Sequence, residues 1–116
     1  MTAPIDATLE DLASALEMVA WSWAELRAFL PRDGYTDEGV VSECVEGLRD
    51  AMGGVPDLLR RGLLAPGAAA DAFECHLAAQ QLMSDLETRS PKVFASHPGW
   101  RRVRALAAAA RGALPR

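Results

Sequence analysis

Apolar residues recur at spacings of three and four over most of this chain, and the longest such run lies between Thr8 and Pro31. Leu9, Leu12, Leu16, Val19, Trp23, Leu26 and Leu30 lay a sustained seam along one side of a helix over 9–30. At 1.5 Å per residue such a rod is about 33 Å long, enough to span a small domain. Thr8 supplies its N-cap, Asp11 imitates a capping box, and Glu10 and Asp11 suit the positive end of the helix dipole. Pro31 ends the pattern and Arg32-Asp33-Gly34 turns the chain. Residues 1–7 read as a short lead-in with Ile5 tucked against the helix.

Thr36 caps the next helix, 37–52, with Asp37 and Glu38 in its first turn. Val40, Val41, Cys44, Val45, Leu48, Ala51 and Met52 share one arc of it, and Ser42, Glu43, Glu46, Arg49 and Asp50 fall opposite. Gly53-Gly54 closes it with a left-handed cap or a hinge. Pro56 opens a short helix over 56–64, and Pro66-Gly67 precedes a long one over 68–88. The main stripe of that long helix is Ala68, Ala72, Cys75, Ala79, Leu82 and Leu86, widened by Phe73, His76, Leu77 and Met83. Its small residues predict close packing on the first helix. Ser90-Pro91 restarts the chain for a single turn over 91–95, and a last helix over 98–113 buries Trp100, Val103, Leu106, Ala107, Ala110 and Leu114. The fold class expected is all-α. It is a compact bundle of four main helices (9–30, 37–52, 68–88, 98–113) with one or two short ones (56–64, 91–95), one domain over 1–116.

Composition supports that reading. With 116 residues, half of them apolar and a quarter charged, the chain can build one core but not two, and it is too apolar for a disordered segment. Eleven of its twelve basic residues are Arg, the mark of a GC-rich, bacterial genome rather than of a chemistry. No uncharged apolar run approaches the ~18 residues of a membrane span. The opening MTAPIDATLEDL is acidic where a signal peptide is basic. Cys44 and Cys75 show neither a disulfide framework nor a CxxC spacing, which fits a reducing cytoplasm.

The net charge of −4 conceals a split: residues 1–58 carry twelve acids against three arginines, whereas residues 59–116 carry four acids against nine bases. The halves are therefore expected to attract each other, within the fold or across a dimer.

Candidate chemistry is sparse. His76 and Cys75 are adjacent, but neighbouring helical side chains point about 100° apart, so a nucleophile–base pair is not formed by them alone. Zinc would need Cys44 and His97 to converge on the same pair, a spacing that matches no ligand pattern. The simpler reading is a core thiol beside a hydrogen-bonded histidine. Phosphotransfer at His76 lacks the expected context, since His76-Leu77-Ala78-Ala79-Gln80 has neither Lys nor Gly. Glu43 and Glu46 lie on a polar arc and no Glu-x-x-His is present, which argues against a di-iron bundle. There is no phosphate loop, HExxH or GxSxG, so no enzyme activity, cofactor or metal is expected.

Trp21 is the anomaly. It lies two residues from Trp23, about 200° around a helix, and so points off the seam with Met18 and Phe29. A Trp buries on the order of 150–250 Å², so that second side must be covered by later helices of this chain or by another chain. The function expected is a small cytosolic interaction protein, an adaptor, regulator or immunity-type inhibitor, binding another protein or a second copy of itself. Met18, Trp21 and Phe29 would be its apolar anchors, and Glu43, Glu46 and Asp50 an acidic face that steers a basic partner. The alternative is a nucleic-acid-associated subunit using Arg101, Arg104 and Arg111 of the last helix, against which the overall negative charge weighs.

Overall fold

Ser22 decides how the first third of the chain folds. Its hydroxyl accepts from the Glu25 amide at 3.2 Å, and the Glu25 carboxylate accepts from the Ser22 amide at 3.0 Å. This reciprocal capping box starts a new helix. The computed structural model, which describes residues 7–30, 36–85 and 90–115, therefore has two helices where the apolar seam predicts one rod: α1 (Ala7–Ala20) and α2 (Trp23–Phe29). The Trp21 amide reaches back only to Met18, at 3.1 Å, which tightens the end of α1 before Ser22 turns extended. Thr8 lies inside α1 and is not its cap. Of the expected lead-in over 1–7, Ala7 already belongs to α1, and residues 1–6, like the turn at Pro31–Gly34, lie outside the described residues.

The other helices are α3 (Asp37–Met52), α4 (Val55–Arg60), α5 (Pro66–Met83), α6 (Pro91–Ser96) and α7 (Pro98–Gly112); no strand occurs among the described residues. Thr36 caps α3 as expected, accepting from Gly39 at 3.0 Å. Gly53 and Gly54 are both right-handed, so neither makes a left-handed cap. That role falls to Gly62, at φ 72°, which ends α4 before the predicted 64. The Leu63 amide donates to Leu58 and the Gly62 amide to Leu59, a Schellman closure. His97 ends α6 and opens α7, its Nδ1 accepting from the Gly99 amide at 2.9 Å.

The four long helices form a ring. α7 packs on α1 and α5, and α3 also packs on both, which leaves α1 and α5 diagonally opposed. The small residues of α5 do admit a close neighbour, but it is α7 and not the first helix: Cys75 Sγ reaches the Val103 carbonyl at 3.6 Å. Leu12, Leu16 and Val19 of α1 meet Val40, Val41, Val45 and Leu48 of α3 and Trp100, Val103 and Ala107 of α7 in one buried cluster. Trp23 and Trp100 flank Phe94 at ring distances of 6.1 and 5.0 Å, so α2 and α6 close one end of the bundle. Burying Trp100 is worth about 4–6 kcal/mol as an upper bound, from 150–250 Å² at 25 cal/mol/Å². Phe73 and Leu77, expected to widen the buried arc of α5, are about half exposed. Leu86 and the predicted end of that helix fall outside the described residues.

Candidate functional site

α1 and α3 run antiparallel. Thr8 at the start of α1 abuts Gly54 just past the end of α3, and Arg27 of α2 meets Asp37 at the start of α3 at 3.5 Å. Their outward edges enclose an open trough of about 460 Å³. Asp11, Ser14, Ala15 and Met18 line it from α1, at the i, i+3, i+4, i+7 spacing of one helical stripe. Glu43, Cys44, Gly47, Asp50 and Ala51 face them from α3, and Phe29 and Leu30 also contribute to the wall.

Two of the three expected apolar anchors thus meet two of the three expected acids: Met18 and Phe29 share the trough with Glu43 and Asp50, and Asp11 adds a third carboxylate. No Lys, Arg or His lines it among the described residues. Phe29 is 60% exposed, the most exposed large apolar side chain described. Leaving so much aromatic surface wet beside an apolar floor is unfavourable unless something covers it.

Gly47 forms the middle of the floor. A glycine inside a helix costs roughly 1 kcal/mol relative to alanine, yet a Cβ placed there meets nothing within 4 Å. The chain's own packing therefore gives no reason for glycine at this position. Gly54 differs, because a Cβ there would lie 2.2 Å from Thr8 Cγ2.

The remaining predicted residues lie elsewhere. Glu46 turns toward α5 and shares a separate cleft with Arg49, Gln80 and Met83. Trp21 is half-buried, neither sealed by its own chain nor fully wet. It lines a second groove, between α1 and α7, with Ala108, Arg111 and Pro115, while its ring meets Phe29 edge-on at 5.2 Å.

The arginines of α7 do not make one open face. Arg101 donates to the Ser96 carbonyl at 2.7 Å, and Arg104 donates to Phe94 and Ala95 at 2.9 and 3.4 Å. Both satisfy the orphan carbonyls that end α6. The Arg104 guanidinium also lies over the Phe94 ring, 5.3 Å from its centroid. Arg111 sits on the far side, in the α1–α7 groove near Glu10 and Glu17. Two of the described ion pairs join the two halves, Asp57 with Arg60 and with Arg61, whereas none of Glu43, Glu46 and Asp50 forms a described ion pair with Arg101, Arg104 or Arg111. The other described ion pairs lie within one half, Arg27 with Asp37 between α2 and α3, and Arg102 with Glu74 between α7 and α5.

Cys75 is a core thiol as expected, but the Nδ1 of His76 is buried without a hydrogen-bond partner among the described residues. Burial, and then the nearby Arg49, hold its imidazole below the ordinary histidine value. Burial, aided by Cys75, pushes the Cys44 thiol up to about 12, and burial pushes Cys75 up to about 11. Both sulfurs are thereby kept as unreactive thiols near neutral pH. Among the described residues no three His, Cys, Asp or Glu side chains converge as metal ligands. No helix there is long and apolar enough to cross a membrane.

No family model, no curated protein and no solved structure matches the chain.

Proposed function

We propose that this protein is a small protein–protein interaction module, an adaptor, regulator or immunity-type inhibitor of the cytoplasm, and that the α1–α3 trough is its working face. The observation that carries the reading is the trough itself, where the exposed Phe29 and the half-buried Met18 lie among Asp11, Glu43 and Asp50 with no neutralising base among the described residues. Apolar anchors ringed by charge of one sign are what a protein interface uses for affinity and for orientation respectively. The nucleic-acid reading has less support, since Arg101 and Arg104 are engaged by α6 carbonyls.

Site-specific photocrosslinking in the source cells tests the proposal. A photoreactive phenylalanine at position 29 is expected to capture a discrete second protein, whereas the same probe at Phe73, on the outer side of α5, gives none of that product. Equal capture at both positions, or none at 29, would refute it. A product at twice the chain's mass would identify the partner as a second copy.

A further inference from the structure

We infer that the occupant of the α1–α3 trough is a short cationic amphipathic helix of the partner, an inference that rests on the reading of the trough as the binding face. Three features of the trough converge on that chemistry. The first is shape. The lining runs from Asp11 to Met18 on α1 and from Glu43 to Ala51 on α3, a length of about 10–12 Å at 1.5 Å per residue. That matches two turns of a third helix laid between two packed ones, and with no strand edge among the described residues, strand addition has no template.

The second feature is the floor. Ser14, Ala15, Gly47 and Ala51 are all small, so an incoming backbone can come close over them. Gly47 is the telling residue, because the space above its Cα is open in this chain and glycine is a costly choice in mid-helix. A partner backbone seated there supplies the missing reason. The third feature is charge. Asp11, Glu43 and Asp50 stand on both walls with no base in the lining among the described residues, and none of the three forms an ion pair with a described residue. A helix carrying Lys or Arg along its flanks and Leu-type side chains on its inner stripe satisfies both the walls and the Met18–Phe29 end.

Fluorescein-labelled model helices and the full chain test this by anisotropy. One peptide carries a Lys/Leu amphipathic pattern, a second replaces Lys by Glu, and a third replaces Leu by Ser. Saturable one-to-one binding is expected for the Lys/Leu helix alone. Gly47→Phe fills the floor, and the pair Glu43→Lys with Asp50→Lys inverts the walls; each is expected to weaken binding by about tenfold or more. The pair Glu46→Lys with Asp71→Lys changes net charge equally outside the trough and is expected to leave affinity within about twofold. Circular dichroism melts confirm that each variant folds, and Gly47→Ala serves as a milder substitution if Gly47→Phe does not.

Binding of the Glu/Leu helix as tightly as the Lys/Leu one would overturn the inference. So would equal weakening by the control pair, or no binding of the Lys/Leu helix up to about 1 mM, a free energy of only ~4 kcal/mol. If position 29 still crosslinks a partner while the cationic helix fails, only this inference falls. If neither result appears, the proposed function falls with it.

Discussion

Replacing Ser22 by Ala separates a broken helix from a continuous one by the sign of the stability change. Ser22 is exposed and packs against nothing that its removal would unseat. What it contributes is the capping box, one bond from its hydroxyl to the Glu25 amide at 3.2 Å and the return bond from its own amide to Glu25 at 3.0 Å. Removing an N-cap hydroxyl costs about 1 kcal/mol, within a range of roughly 0.5–2. If α1 and α2 were one helix, Ser22 would sit in its interior, and Ala would be the better helix former by up to ~0.5 kcal/mol. Urea unfolding followed by circular dichroism is the assay, with the midpoint shift at constant slope giving the difference. Ser22→Ala is expected to be less stable than the parent, and Ser22→Asp, which can still accept the Glu25 amide, close to it. A more stable Ser22→Ala protein would mean that the break at Trp21-Ser22 does not exist in solution.

Other outcomes follow from the packing and the titrating groups. Gly54→Ala is expected to cost about 1–3 kcal/mol through overpacking on Thr8. Thr8→Ser, which keeps the hydroxyl and removes the clashing methyl, should abolish that cost; additive effects in the double-mutant cycle would show that the contact is not tight. Because burial holds His76 below its ordinary value, the unfolded chain takes up this proton first as pH falls through 6.5. Stability should therefore drop on acidification into that range, and His76→Gln should flatten that part of the profile; an unchanged slope would remove His76 as its source. Both thiols, raised by burial, should stay unreactive to a disulfide reagent at pH 8 until the chain unfolds. Prompt labelling of either would contradict the buried α3–α5 packing.

The bundle was legible because its signals are local and repeated. Val40, Val41, Cys44, Val45 and Leu48 of the expected arc are buried on α3, with Ala51 and Met52 partly buried at its end, and Trp100, Val103, Ala107 and Ala110 are buried as their spacing requires. The single rod over 9–30 failed because periodicity says nothing about breaks. Leu26 and Leu30 stay buried on either account, and only the tetrad Ser22-Trp23-Ala24-Glu25 carries the interruption. That tetrad is a better capping box than Thr8-Leu9-Glu10-Asp11, and weighing the two against each other would have found it.

The trough was half legible. Met18 and Phe29 stand out as a second apolar side, and Glu43 and Asp50 as a polar arc, but their meeting depends on which edges of α1 and α3 abut. Glu46 lies three residues beyond Glu43, about 60° short of a full turn, enough to carry it round α3 toward α5. Phe73 and Leu77 misled because α5 is apolar on nearly every side, so its pattern does not say which face is covered. Arg101 and Arg104 looked like a face because their reach back over the His97 turn to α6 is a tertiary contact.

The central claim is that the α1–α3 trough is covered by another protein in the cell. It is tested most directly by the mass of the endogenously expressed, tagged protein in native extract, measured for the parent and for a Phe29→Ser, Asp50→Lys double variant. The parent should elute with a second polypeptide, well above the 12.4 kDa of one chain. The variant, melting at the same temperature as the parent, should elute as a free monomer. A folded double variant that keeps the partner would contradict the claim.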